Sequence, residues 1–306
     1  MQENVLVARE LTKRVGEKLI VDNVAITVQK GEIVGLLGPN GAGKTTIIRM
    51  LTGLISRNKG TVEIASNDLD KEFNKCMENV GAIIENPEFY NYLSGWENLK
   101  QFARMSPRKI TDEMIMEVVT RVRLTETIHQ KVKTYSLGMR QRLGIAQALL
   151  HRPALLILDE PLNGLDPKGM YDFRQLIEEI AKDGTSILIS SHLLSEMELL
   201  ANRIIIIERG KVTHIENLAE AASNIGRIQV TIETPQQTLL QREVALMGLS
   251  ILQTEGDMLT IEIEKDQIPA LIEHGVQVGI SFYGITPHKA NLEERFLELT
   301  KGGSLK

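Results

Sequence analysis

An aliphatic run, Ile33–Leu37, leads into Gly38-Pro39-Asn40-Gly41-Ala42-Gly43-Lys44-Thr45-Thr46, and a helix-forming stretch, Lys44–Ile55, follows. The octet Gly38–Thr45 matches G-x-x-x-x-G-K-[ST] in the strand–turn–helix context that gives this pattern its meaning. The glycines let the backbone curl so that successive N–H groups point inward, a concavity suited to phosphate oxygens. The start of a helix adds partial positive charge at the same place. Lys44 can reach the outer phosphates of a nucleotide, and the Thr45 hydroxyl can ligate Mg²⁺. The alternative is a glycine-rich turn with no ligand, and the match in context argues against it.

Other short runs rich in Ile, Val and Leu read as strands: Val24–Val28, Val34–Leu37, Val62–Ile64, Leu155–Leu158, Ser186–Ile189 and Arg203–Ile207. Helical stretches such as Leu137–His151 and Lys168–Lys182 lie between them. The alternation predicts an α/β domain with a mostly parallel sheet. Residues 88–151 carry little strand signal and are expected to be a helical insertion. From Ile228 the pattern becomes β-α-β-β-α-β: Ile228–Glu233, Leu239–Met247, Ile251–Glu255, Met258–Glu264, Gln267–His274 and Gly279–Ile285. That order predicts a small ferredoxin-like α+β domain. The expected division is 1–216 and 217–306, with a linker near Glu216–Ile225 and a closing amphipathic helix at Leu292–Thr300.

Four aliphatics, Leu155–Leu158, deliver Asp159 and Glu160 at the C-terminal end of a buried strand, the end at which α/β sheets place ligands. Asp159 suits a Mg²⁺-holding carboxylate, and Glu160 suits a general base that activates water. On its own this could be an acidic turn after a core strand. The glycine-rich loop upstream favours the catalytic reading.

Between these motifs lies Tyr135-Ser136-Leu137-Gly138-Met139-Arg140-Gln141-Arg142. With the other two, it resembles the signature segment, usually LSGGQ, of ATP-binding cassette (ABC) ATPases; Ser136 and Gly138 match. Taken alone, Tyr-Ser-Leu-Gly would be a plain helix cap. Asn163-Gly164-Leu165-Asp166-Pro167 resembles the family's D-loop, with Asp166 the key position, and Ser190-Ser191-His192 its switch histidine. The resemblance spans residues 4–216 and implies a P-loop ATPase fold. It implies ATP held by Gly38–Thr46, with Ser136, Gly138 and Asp166 contacting nucleotide across a dimer. It further implies Mg²⁺ at Thr45, Asp159 and Glu85, with Glu160 and His192 catalytic.

Two positions depart from the family pattern. Glu85 stands where Gln is usual, which resembles bacitracin-resistance and lantibiotic-immunity transporters. Val15 stands where an aromatic usually stacks on adenine. Phe89, Tyr90, Tyr92 and Trp96 crowd together in a chain with only 4% aromatics. They serve either to dock a partner helix or to pack the insertion.

The longest aliphatic runs, Ala154–Leu158 and Ile204–Ile207, fall far short of the roughly 20 residues that cross a bilayer. Any membrane spans are therefore expected on a separate permease chain. The ATPase would sit in the cytoplasm on the membrane's inner face, paired with a second copy of itself. A formal charge of −5, from 35 basic and 40 acidic residues, argues against nucleic-acid binding. The expected function is ATP hydrolysis that energises export of an antimicrobial peptide or drug. An ATPase uncoupled from transport and a nucleotide-sensing subunit are the alternatives.

Overall fold

The computed structural model describes residues 3–218 and 227–288. The chain divides into two compact units, Met1–Leu218 and Ala219–Lys306.

The first unit holds two sheets. One is antiparallel, built from β1 (Asn4–Val15), β2 (Lys18–Gln29), β4 (Lys59–Ile64) and the two-residue β5 (Asn67–Asp68), in the order β2-β1-β4-β5. The other has the order β10-β9-β3-β8-β7-β6. Its strands β3 (Ile33–Leu37), β6 (Val80–Ile83), β7 (Leu155–Leu158), β8 (Ser186–Ser191) and β9 (Arg203–Glu208) run parallel. Strand β10 (Lys211–Asn217) closes one edge antiparallel to β9. β3, β7 and β8 are buried along their whole length, as expected of strands covered on both faces.

The parallel sheet follows the sequence-based expectation, but Val24–Val28 and Val62–Ile64 belong to the antiparallel one. β1 carries no clean alternation because its pairing slips at several places, including between Ala8 and Leu11, where Glu10 takes φ 55°. Each slip breaks the period of two on which strand patterns depend.

Helix α1 (Lys44–Leu51) follows β3 and buries Ile47, Ile48, Met50 and Leu51. These side chains share a core with Leu36, Leu155, Ile157, Leu188, Ile205 and Ile207. Each such burial contributes about 1.5–3 kcal/mol. A short helix, α2 (Phe73–Met77), precedes β6. The insertion is helical: α3 (Gly95–Met105), α4 (Asp112–Arg121) and α5 (Leu137–Leu149). Helix α3 opens on a reciprocal cap. The Glu97 N–H donates to Ser94 Oγ at 3.1 Å, and the Ser94 N–H donates to Glu97 Oε2 at 2.7 Å. The aromatic group divides. Phe89 meets Phe102 edge-on and Trp96 packs near His129, whereas Tyr90 and Tyr92 pair with each other and stay 54% and 67% exposed. Helices α6 (Pro167–Lys182) and α7 (Leu194–Leu200) complete the unit.

The second unit contains β11 (Arg227–Glu233), α8 (Gln237–Leu246), β12 (Ser250–Glu255), β13 (Met258–Glu264), α9 (Ile268–Gln277) and β14 (Gly284–His288). Its described strand pairs are antiparallel, in the order β12-β13-β11-β14, the ferredoxin-like topology. Leu259, Ile261 and Ile263 of β13 meet Leu240, Val244 and Leu271 in its core.

The last strand starts at Gly284, not at Gly279 as the apolar pattern suggests. Gly279 is instead the helix stop. It takes φ 91°, its N–H bonds Val276 O, and the Ile280 N–H bonds Gly275 O. That pair of bonds terminates α9, and a residue with φ near 90° is best supplied by glycine. Strand β10 runs through Glu216 to Asn217, so the expected linker begins later than Glu216. Its remainder beyond 218, and the expected helix at Leu292–Thr300, lie outside the described residues.

Candidate functional site

Parallel pairing brings four strand ends to one edge. Leu37 of β3 is level with Ser191 of β8, Leu158 of β7 with Ile189 of β8, and Ile83 of β6 with Leu158. Residues just past those ends therefore lie along one edge of the sheet, though they are distant in sequence. They are the Gly38–Thr46 loop, Ser190 to His192, Asp159–Glu160 and Glu85.

At the loop, Gly43 adopts φ 108° and forms the N-cap of α1 with no side-chain cap. The first-turn N–H groups are thereby free of a competing side-chain acceptor, as a phosphate site requires. Pro39, Asn40 and Gly41 are exposed, Gly38, Ala42 and Lys44 buried, and Thr45 and Thr46 half-buried. Lys44, 5% exposed, donates from Nζ to Gly38 O at 2.6 Å and to Pro39 O at 3.2 Å. Its Nζ also lies 3.0 Å from Glu160 Oε1. The distance makes an ion pair, but the direction is poor: Glu160 Oε1 is buried and has no hydrogen-bond partner. We read the contact as electrostatic rather than as a formed hydrogen bond.

Asp159 is 2% exposed and accepts from Ser190 Oγ at 2.6 Å. Glu160 takes φ 48°, a left-handed conformation uncommon for a side chain of its size. Its Oε2 lies 2.9 Å from His192 Nδ1. Because an ionised carboxylate only accepts, Nδ1 carries the proton in this contact. The structure thus brings Lys44, Asp159, Glu160 and His192 together. Glu85, at φ 66°, pairs its carboxylate with Arg49 of α1, and its side chain is 65% exposed.

Ser136 and Asp166 lie elsewhere. Ser136 caps α5, accepting from the Met139 N–H at 3.3 Å, and Asp166 caps α6, accepting from the Gly169 N–H at 2.9 Å. They line one cavity of about 400 Å³, together with Gly138, Leu165 and Lys168. No residue of the Gly38–Thr46 loop lines it. Tyr135 is buried, and its hydroxyl donates to Thr127 O at 2.8 Å, so it anchors the segment before α5. Burial pushes its phenol pKa up. Val15 is 62% exposed at the β1–β2 turn, a position open to an adenine ring.

Sequence reasoning missed Arg49 as the partner of Glu85 and Ser190 as the link between the two acidic residues. No sequence signal marks either contact: Arg49 reaches Glu85 from α1, and the register of β8 on β7 sets Ser190 beside Asp159.

The set Thr45, Asp159 and Glu85 offers oxygen donors only, which suits Mg²⁺. Among the described residues no three His, Cys, Asp or Glu side chains cluster to hold a metal unaided. Magnesium commonly relies on one or two carboxylates plus substrate phosphates, so these residues fit an ion that arrives with nucleotide.

Comparison with known proteins agrees with this geometry. A family profile described as ABC transporter matches residues 21–163. The ABC transporter ATP-binding protein YdbJ of Bacillus subtilis (strain 168) is 49% identical over 98% of this chain and 96% of its own length. The bacitracin transport ATP-binding protein BcrA of Bacillus licheniformis is 36% identical over 98% of this chain and 99% of its own. A solved structure of an ATP-binding subunit of an ABC transporter superposes with a TM-score of 0.63 at 27% identity, covering 72% of this chain and 93% of that one. This chain belongs to the family of ABC transporter ATP-binding proteins.

Proposed function

We propose that the chain hydrolyses ATP on the cytoplasmic face of the cell membrane and so energises export of an antimicrobial peptide or drug. The route across the membrane is a permease on a separate chain, and a second copy of the ATPase completes the nucleotide site. The observation that carries the reading is the position of Glu160, between the Lys44 ammonium and the His192 ring.

Residues 1–216 carry this work, and 217–306 form an accessory domain. Gly38–Thr46 hold the phosphates. Lys44 turns from Gly38 O and Pro39 O toward them, exchanging carbonyl partners for a stronger anionic one. Thr45, Asp159 and Glu85 hold Mg²⁺, which when bound neutralises phosphate charge. Glu160 orients a water and takes its proton, while His192 steadies the other carboxylate oxygen. The separation of Ser136, Gly138 and Asp166 from the loop supports a site completed by a partner chain. ATP bound in that way favours the closed pair, and loss of the outer phosphate releases it.

No helix among the described residues is long and apolar enough to cross a membrane, which supports a separate permease. The exposed Tyr90 and Tyr92, two of the few aromatics, are its docking residues. Bacitracin transport by a relative with matching length supports a peptide substrate.

The test is purification of the tagged full chain from detergent-solubilised membranes, with ATP turnover measured with and without bacitracin. Retention of a membrane-spanning partner and peptide-stimulated turnover are expected. A chain that purifies without such a partner, and whose turnover ignores peptide, would overturn the transport reading.

A further inference from the structure

Ser190 belongs to neither the glycine-rich loop nor the acidic pair, yet it touches both acidic residues. It is the penultimate residue of β8 and is fully buried. Its register explains the contact. Ile189 is level with Leu158, so the next residue on each strand, Ser190 and Asp159, leaves the ladder side by side. Ser190 Oγ donates to Asp159 Oδ1 at 2.6 Å and accepts the Glu160 N–H at 2.8 Å.

A hydroxyl has one proton to give. A backbone N–H can only donate, and an ionised carboxylate can only accept. The direction is therefore set: Glu160 N–H to Ser190 Oγ, and Ser190 O–H to Asp159. Two restraints follow. The Asp159 carboxylate cannot rotate without losing a donor in a place closed to water. The Glu160 backbone, held at φ 48°, is secured by the bond that its N–H makes. That backbone conformation sends the Glu160 side chain back toward Lys44 and His192.

We infer that Ser190 is a positioning residue that locks the metal-holding Asp159 and the base Glu160 in one mutual orientation, an inference that rests on the roles proposed for those two carboxylates. One hydroxyl acts on both, so its loss disturbs metal binding and the chemical step together while leaving the phosphate-binding loop intact.

The experiment compares full-length Ser190→Ala and Ser190→Thr with wild type. It measures kcat and KM for ATP, Mn²⁺ affinity in the presence of ATP by electron paramagnetic resonance, and thermal melting. For Ser190→Ala, kcat should fall about 10- to 100-fold and Mn²⁺ affinity about tenfold, the usual loss for an outer-shell partner. KM for ATP should stay within about threefold, since the interactions of Lys44 with nucleotide are unchanged. Ser190→Thr retains the hydroxyl and should recover both quantities.

Wild-type kcat and Mn²⁺ affinity in Ser190→Ala would overturn the inference, as would a folded Ser190→Thr as impaired as the alanine variant. If Ser190→Ala does not fold, Ser190→Cys takes its place, because it keeps the size and weakens the donor. Wild-type values there overturn the inference equally. Glu160→Gln serves as reference. Wild-type turnover by that variant removes Glu160 as the base whatever Ser190 does. An inactive Glu160→Gln beside a normal Ser190→Ala removes only the Ser190 assignment.

Discussion

Glu160→Gln removes a negative charge that faces Lys44 at 3.0 Å and keeps the shape of the side chain. At that distance and an effective dielectric near 20, the Coulomb attraction is about 5.5 kcal/mol. The net value is smaller. Lys44 also donates to Gly38 O and Pro39 O, and Glu160 Oε1 receives no aligned hydrogen bond. A coupling of about 1.5 kcal/mol, at the low end for close charge pairs, is expected. Nucleotide must draw Lys44 out of this pair, so the pair competes with binding. The variant should therefore bind ATP about tenfold more tightly, the equivalent of that coupling. Calorimetric titration in the presence of a chelator isolates this effect from metal binding. In a Lys44→Ala background the gain should vanish, because no competing pair remains. A gain that persists there would refute the competition argument and point to simple repulsion between Glu160 and phosphate. Turnover, followed by phosphate release, should fall about 100- to 10,000-fold with loss of the base.

Two further predictions concern stability. Arg203 and Glu32 form a two-pronged ion pair at 2.8 and 3.1 Å, with side chains 17% and 13% exposed, so Glu32→Ala leaves a largely buried guanidinium without its carboxylate. A loss of about 3 kcal/mol is expected in urea unfolding, and one below about 1 kcal/mol would show that Thr27 O and water suffice for Arg203. Burial pushes the His151 pKa below its ordinary 6.5, outweighing its hydrogen bond to Val80 O. The unfolded chain then takes up a proton that the folded one resists, so stability falls as pH drops below about 6.5. His151→Gln should flatten that fall in melting curves recorded across pH 6.5 to 5, and an unchanged slope would assign it to other groups.

The legible and illegible parts of this protein divide along a physical line. The Gly38–Thr45 loop, Asp159 and Glu160 are candidates from sequence alone because each motif has a local cause, a turn that needs glycine or a buried run that ends in charge, whereas His192 becomes one only through the resemblance to ABC ATPases. The continuous apolar runs of β3, β7 and β8 likewise announced a sheet covered on both faces. β1 is illegible because its register slips erase the alternation, and the apolar pattern alone starts β14 too early because Gly279 terminates the preceding helix.

What tertiary structure alone decided is who stands beside whom. Nothing in the chain says that Ser190 will bridge residues about thirty positions upstream, that Arg49 will hold Glu85, or that Glu160 will face Lys44. Those neighbours are set by the order and register of parallel strands and by the packing of α1 after β3, which join distant segments through contacts that carry no side-chain signature. By itself the sequence determined the chemistry present at each strand end. The pairing of β3, β8, β7 and β6 determined that these ends lie along one edge of the sheet.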